Sequence, residues 1–266
     1  MNIAEKIARA KADRDYVYEA GVEKGRAEAQ DQAQVNQAIS EILTGTINRE
    51  ITLDEGVTKI IPEMFFNCQN LRMTSLPSTI TSIGDLAFYN CNNIGLTELP
   101  SKLSSVGING FNQAFNLRLT SLPSTLSSIG DWAFHKCSAM DISELPPKLT
   151  VIKPGAFANT GAAMKLRTLP SGVTKIDQYA FLSNTAIGSE GLTLPASVTQ
   201  IGASAFEGCI SLRKLTFKGT PKSIASNAFT DCPNLTAIYV PWSKGAVANA
   251  PWGAIRATIY YNYYGG

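Results

Sequence analysis

The chain has 266 residues, of which 44% are apolar, and a formal net charge of +2 at pH 7. This length and apolar content allow a sizeable core, and the charge is too near zero for a general nucleic-acid or polyanion binder. No stretch has the length and apolar character of a transmembrane helix, so we expect no membrane insertion.

Residues 1–46 differ in composition from the rest of the chain. Ala, Glu, Lys, Arg and Gln dominate here, and these residues favour helix. Apolar residues recur at spacings of three and four, but Gly21 and several charged residues interrupt the seam, which excludes a long, regular coiled coil. We therefore predict a helical leader over 1–46, broken near residues 21–25. Two roles stay open: oligomerisation or docking, and folding back to cap the first repeat.

Residues 47–241 repeat one pattern, in which an Ile or Val is followed by a Phe five residues later. The repeat starts follow one another at steps of 23 to 25 residues. A fixed period in this range is typical of a solenoid, because a single repeat cannot bury its own apolar face. The Ile/Val positions are Ile60, Ile83, Val106, Ile129, Ile152, Ile176, Ile201 and Ile224, and the Phe positions are Phe65, Phe88, Phe111, Phe134, Phe157, Phe181, Phe206 and Phe229.

One repeat, residues 71–93, reads LRMTSLPSTITSIGDLAFYNCNN. Two strand-like stretches flank a proline, which marks the end of a strand because it cannot donate a hydrogen bond to a strand ladder. A glycine then allows a tight turn into a segment that we predict to be a one-turn helix. The Ile and Phe positions and an apolar position before the proline form three stripes. We predict about eight coils with parallel strands, stacked roughly 4.8 Å apart.

This pattern resembles the BspA type of leucine-rich repeat. The matching segments include LPSTITSIGDLAFYNC (76–91), LPSTLSSIGDWAFHKC (122–137) and LPASVTQIGASAFEGC (194–209). The resemblance implies a leucine-rich-repeat solenoid over most of the chain. The sequence departs from the pattern where Ala114, Thr160 and Asn184 replace the usual Cys, and where extra residues enter near 163–168 and 187–193.

Residues 242–266 form a tail rich in aromatic residues. Trp242 and Trp252 carry a large apolar area, and Tyr260, Tyr261, Tyr263 and Tyr264 are spaced loosely like a strand. We predict an aromatic cap that covers the last coil, where an open strand edge would otherwise invite strand addition. A docking surface is the alternative.

The two ends also resemble repeat proteins of phage and prophage tail regions in Firmicutes. The resemblance rests on IAEKIARAKADRDYVYEAGVEKG at the start and on the A-P-W-G-A spelling of the tail. It implies a virion component assembled in the bacterial cytoplasm, docked on other virion proteins through residues 1–43 or forming a homo-oligomer such as a trimer. The opening has no apolar run of signal-peptide length, which agrees with that placement. The alternative is a BspA-like adhesin on the bacterial cell surface.

The sequence contains few residues that could form a catalytic or metal-binding site. All five cysteines occupy one position of the repeat, three residues after the Phe, and a small buried side chain explains them better than a disulfide ladder. The single histidine, His135, has no set of Cys or carboxylate residues at ligand spacing. We therefore predict a protein that is not an enzyme and needs no metal or cofactor.

The remaining candidate for function is the surface. Variable positions around the repeat Phe carry large side chains, and aromatic residues dominate interface hot spots. We predict a partner-binding surface, for a protein or a cell-surface glycan, formed by Leu86, Tyr89, Trp132, His135 and Tyr179. Local packing between coils is the alternative explanation for these side chains.

Overall fold

The computed structural model describes residues 53, 56–161 and 164–264. The predicted helical leader, residues 1–46, lies outside the described residues. The described part of the chain is a parallel β-solenoid of about nine turns.

Each repeat Ile or Val forms the inward-facing half of a two-residue strand. These strands pair in parallel, with the repeat Ile or Val of one coil directly opposite that of the next, as Ile60 is opposite Ile83; the strands of Ile129 and Ile152 are the exception among the described coils and do not pair. They form two four-stranded sheets, in the orders β1-β2-β3-β4 and β10-β8-β6-β5. Their bounds are β1 Lys59–Ile60, β2 Ser82–Ile83, β3 Ser105–Val106, β4 Ser128–Ile129, β5 Val151–Ile152, β6 Lys175–Ile176, β8 Gln200–Ile201 and β10 Ser223–Ile224.

A second face carries a sheet only in the C-terminal coils. Its order is β12-β11-β9-β7, again fully parallel, with bounds β7 Leu192–Leu194, β9 Lys214–Phe217, β11 Ala237–Tyr239 and β12 Thr258–Tyr260. In the earlier coils this face is held by single bonds, such as Gly95 N–H to the Met73 carbonyl at 3.0 Å. A bridge between Thr168 and Thr193 marks the transition.

The predicted one-turn helices are instead chains of β-turns in the described residues. In the second coil, Ala87 N–H donates to the Gly84 carbonyl and Cys91 N–H to the Phe88 carbonyl. Residue three of each such turn has a positive φ, 57° at both Leu86 and Asn90, as a type II turn requires. A helix is excluded because alternate N–H groups point along the stack; Phe88 N–H donates to the Gly110 carbonyl of the next coil at 2.8 Å.

The core is built around the phenylalanines. Rings in successive coils stack nearly parallel, with centroids 5.0 to 5.8 Å apart from Phe65 through to Phe229. The three predicted stripes are mostly buried, and further apolar positions of the repeat join them. One of these is occupied by Met73, Leu96, Leu119, Ile142, Leu166, Leu192, Leu215 and Ile238, all buried.

The aromatic tail continues the solenoid. Strand β12 pairs with β11, so that Tyr260 lies opposite Tyr239, and Phe229 N–H donates to the Trp252 carbonyl. Trp242 and Trp252 are buried, with ring centroids 6.4 Å apart. The tail thereby supplies the turn that follows the eighth repeat.

Candidate functional site

The five candidate residues all lie on the turn edge, which we define as the row of turn segments that follow strands β1–β6, β8 and β10. Leu86, Trp132 and Tyr179 share one position of the repeat, and Tyr89 and His135 share another. The structure brings Trp132 together with His135 and Tyr179, whereas Leu86 lies two coils before Trp132 at the same repeat position.

Trp132 and Tyr179 meet across an intervening coil because that coil has a glycine between them. Their ring centroids are 6.0 Å apart, with an interplanar angle of 28°. A β-carbon built on Gly155 would lie 2.2 Å from Cε3 of Trp132, so the indole covers the backbone there. Gly155 also has a φ of 59°, which glycine adopts without steric cost. Trp132 is half-buried and Tyr179 is 36% exposed.

His135 joins this pair to a row of amides. Its ring meets Trp132 edge-on, with centroids 5.1 Å apart, and its Nδ1 lies 3.0 Å from Asn112 Oδ1. The amide of Asn112 in turn donates from Nδ2 to Asn109 Oδ1 at 2.7 Å. Burial, and secondarily the nearby Lys136 charge, lower the pKa of His135 below its usual range, so the imidazole is neutral at pH 7.

Tyr89 belongs to a second cluster in the earlier coils. Its ring stacks on Phe66 with centroids 5.2 Å apart, and its hydroxyl accepts a hydrogen bond from Gln113 Nε2 at 2.8 Å. Phe66 is 42% exposed. The sequence prediction did not include Phe66, Asn112, Gln113 or Gly155; Phe66 and Asn112 share the repeat position of Tyr89 and His135, and that shared position could have identified them.

The backbone at the first of these positions is left-handed. The φ values are 57° at Leu86, 57° at Trp132 and 60° at Tyr179, whereas Asn109 and Ser204 hold the same conformation with small polar side chains. A non-glycine residue pays about 1–2 kcal/mol for this conformation, and Asn tolerates it better than bulky residues do. The large side chains therefore stand where the fold itself favours Asn or Gly.

The cysteine column is buried and unreactive. All five thiols are free, and Cys91 and Cys137 each donate from Sγ to the carbonyl of a repeat Phe in the preceding coil, at 3.0 Å. Asn184 makes the same bond from Nδ2 to the Phe157 carbonyl, which explains a polar side chain in this column. Burial raises the pKa of Cys68 to about 12, so the nucleophilic thiolate is absent at neutral pH.

Within residues 53, 56–161 and 164–264, no group of three or more His, Cys, Asp and Glu side chains is placed to hold a metal ion. The same residues contain no helix with the length and hydropathy that a membrane crossing requires.

A second aromatic surface lies on the C-terminal sheet. Tyr239 stacks on Tyr260 with centroids 4.8 Å apart, and Tyr263 meets Tyr239 at 4.7 Å. The ammonium of Lys214 lies 4.7 Å from the Tyr239 ring centroid, on the preceding strand. The side chains of Lys214 and Tyr260, on the two strands beside β11, thus pack against the Tyr239 ring. This is the usual packing of side chains between paired strands.

Comparisons with known proteins agree with this architecture. The model of the BspA type leucine rich repeat region matches residues 58–188 and 188–249, in six copies. No curated protein sequence matches the chain.

Two crystal structures share the fold. A leucine-rich repeat protein from Bacteroides ovatus is 21% identical, with a TM-score of 0.57 over 80% of this chain and 60% of that one. The leucine rich repeat protein of T. pallidum is 24% identical, with a TM-score of 0.51 over 67% of this chain and 79% of that one. The chain thus spans 60% of the length of the Bacteroides ovatus protein. Since the family model matches well over half of the residues, the chain belongs to the BspA-type leucine-rich-repeat family.

Proposed function

We propose that the chain is a non-enzymatic recognition protein that binds a partner on a bacterial or host surface through the turn edge. The observation that carries the proposal is the Trp132–Tyr179 pair, two large rings left partly exposed at left-handed positions. Strained backbone is retained where surrounding structure or function demands it, and exposed aromatic residues are the usual anchors of interfaces.

The rest of the turn edge supports a binding role. Rings and amides lie side by side along it, from the Phe66–Tyr89 stack to the contact of His135 with Asn112. A solenoid places these groups in fixed register, and its extended surfaces are what repeat proteins use for binding. The faces that carry β1–β6 are lined mainly by Ser and Thr, whose hydroxyls bond to the preceding coil, as Ser104 Oγ does to the Thr81 carbonyl.

We propose no catalytic role because the cysteine, histidine and glutamate side chains are not arranged for catalysis. The thiols are buried and protonated, and the Nδ1 of the single histidine is held by Asn112. Glu98 and Glu144 hold equivalent repeat positions, but they are exposed side chains two coils apart and form no carboxylate pair of the kind that glycoside hydrolysis uses.

The biological setting that we propose first is a phage or prophage appendage. The likeness of both ends to phage tail proteins favours it, with residues 1–43 joining the solenoid to other virion proteins and, as a trimer, to its own copies. Membership of the BspA-type family favours the second setting, an adhesin on the bacterial cell surface. Antibody labelling in electron microscopy separates the two: we expect label on purified virions in the first setting and on intact producing cells in the second.

Binding itself is tested with the full chain, labelled with a fluorophore and added to intact bacterial cells and to cultured host cells. We expect saturable binding that the double variant W132N/Y179N weakens at least about tenfold, as the loss of hot-spot residues does. Asn suits both positions because Asn109 already holds this conformation. Glu63→Asn is the matched control, since Glu63 has a φ of 60° at the same repeat position but no ring. Equal binding of wild type and double variant would contradict the proposal.

A further inference from the structure

We infer that the Trp132–Tyr179 pair, together with His135, is a subsite for a neutral saccharide. This inference rests on the proposed role of the turn edge and names the chemistry of its ligand. Sugars of the gluco and galacto series present a C–H face that packs on aromatic rings, whose faces carry partial negative charge. They also present hydroxyls, which need planar polar partners at the rim of the rings.

The two rings meet because the coil between them contributes no side chain. Gly155 lets the indole of Trp132 lie across its backbone, within 2.2 Å of the place of a β-carbon, and Tyr179 completes a pair inclined at 28°. This is the one place in the described turn edge where a glycine at this repeat position separates two aromatic residues. The two rings thus stack on each other, and their outer edges form one partly exposed aromatic patch, in which Tyr179 is 36% exposed.

The hydrogen bonds around His135 define which of its atoms faces a ligand. Asn112 Nδ2 donates to Asn109, which makes Asn112 Oδ1 the acceptor that faces the imidazole. Nδ1 of His135 must then carry the proton, and in the neutral ring Nε2 is a hydrogen-bond acceptor. Within the described residues Nε2 has no hydrogen-bond partner, so it is free to accept one from a sugar hydroxyl beside Trp132.

The charges near the pair are close to balance and do not form a strong anion or cation site. Asp131 precedes Trp132, Lys136 follows His135, and Lys175 is already paired with Asp177 at 2.7 Å. Lys153, which lies two residues before Gly155 in the intervening coil, leaves one positive charge in excess, and a single half-buried lysine is a weak basis for selecting an anionic sugar or a phosphate.

The polar side chains around the two rings favour a saccharide over a protein as the ligand. The repeat positions around the rings carry Asn109, Asn112, Gln113 and Gln178, which are amides. The centre of a protein–protein hot spot is instead apolar and fully desolvated. Amides around exposed rings suit a ligand that is covered with hydroxyl groups.

The chain offers a built-in probe for the test. Of its three tryptophans, Trp242 and Trp252 are buried, with 6% and 0% exposure, so a ligand on the surface can contact Trp132 but not the other two. We would titrate the full chain with neutral hexasaccharides of glucose, xylose, mannose and N-acetylglucosamine, up to about 10 mM, a range that covers weak millimolar sites. We expect a saturable change of tryptophan emission with at least one of them.

Variants then assign the signal to the subsite, with calorimetry as the second readout because W132N removes the fluorophore. We expect W132N and Y179N each to weaken binding at least about tenfold. Gly155→Ala, whose β-carbon would displace the indole, should have the same effect while keeping both rings. Glu63→Asn should leave the affinity unchanged.

Two results would overturn the inference: no binding of any hexasaccharide up to about 10 mM, or binding that W132N leaves intact. If saccharides fail while the cell binding described above still depends on Trp132 and Tyr179, the recognition role stands and the ligand is a protein. If cell binding is also independent of these rings, the proposed function fails as well.

Discussion

The N-terminal and C-terminal coils differ on the second face of the solenoid. Coils that contain β7, β9, β11 and β12 have a continuous parallel sheet there, whereas earlier coils have single hydrogen bonds such as Arg118 N–H to the Leu96 carbonyl. The local sequences differ accordingly. The earlier coils place Ser or Glu before the Leu-Pro step, as in LTSLP and LTELP, and the later ones read KLTF, AIY and TIY. β-branched and aromatic residues favour the extended, paired backbone.

The repeat is stabilised mainly by the interactions that both halves share. The phenylalanine stack and the turn ladder run through all eight repeats, and each repeat forms a two-residue strand, although β4 and β5 do not pair. The second sheet therefore adds order to a fold that does not depend on it. Substitutions in the two halves, and amide exchange on the second face, test this difference between the shared and the local interactions.

Truncation of a stacked phenylalanine should cost about the same in both halves. Phe88 and Phe206 are fully buried, and each stacks on two neighbours. We expect Phe88→Ala, Phe206→Ala and the central Phe134→Ala each to lower the free energy of unfolding by about 3–5 kcal/mol in urea titrations. A cost under about 1 kcal/mol at any of the three would show that its ring is not part of the core.

Amide exchange should differ between the halves on the second face. The amides of residues 97–99 donate no hydrogen bond within the described chain, whereas those of β9 lie between β7 and β11. We expect peptides covering residues 214–217 to exchange roughly 10- to 100-fold more slowly than those covering 97–99 in hydrogen–deuterium exchange, since protection follows local opening. Equal rates would mean that the second sheet is not a persistent structure.

The buried thiols predict a loss of stability at alkaline pH in both halves. Burial raises the pKa of Cys68 and Cys232 to about 12, above the value of about 8.5 for an unfolded chain. The unfolded state therefore releases the proton first, and stability falls as pH rises from about 8.5 towards 12, by at most about 1.4 kcal/mol per pH unit and thiol. Thermal melting from pH 7 to 10 measures this loss.

A matched variant isolates the contribution of the thiols. Cys137→Thr introduces the residue that Thr160 already provides in this column, and it should reduce the slope of stability against pH. Native protein should also leave Ellman's reagent unreacted until it is denatured. Rapid labelling of the native protein would show that the column is open to solvent.

The smallest effect concerns the left-handed turn position. Glu63 is exposed, with a φ of 60°, so Glu63→Gly should stabilise the protein by about 0.5 kcal/mol, after the entropic cost of glycine is subtracted. Glu98→Gly, at an exposed position outside the positive-φ turns, should instead destabilise it. Two chemical-denaturation curves measure both changes, and a loss at Glu63 would contradict the left-handed assignment.

The sequence predicted the repeat and its register because Ile, Phe and Pro recur at fixed steps, and the buried Phe stack confirms the period. It did not predict the turns, because an Ala-Phe step beside a Gly suggested a one-turn helix. Backbone N–H groups such as that of Phe88 instead donate to the next coil, and the turns that allow this have a positive φ at Leu86 and Asn90. The contact of Trp132 with Tyr179 could not be predicted from the repeat period either, since it depends on a glycine in the coil between them.

We propose that the turn edge, rather than the C-terminal sheet, is the recognition surface. The most direct measurement compares cell binding of the full-length wild type with two double variants, W132N/Y179N on the turn edge and Y239S/Y260S on the C-terminal sheet, each checked for an unchanged circular dichroism spectrum. We expect at least about tenfold weaker binding for the first variant and wild-type binding for the second. Loss of binding only in Y239S/Y260S would contradict it and move the site to the sheet.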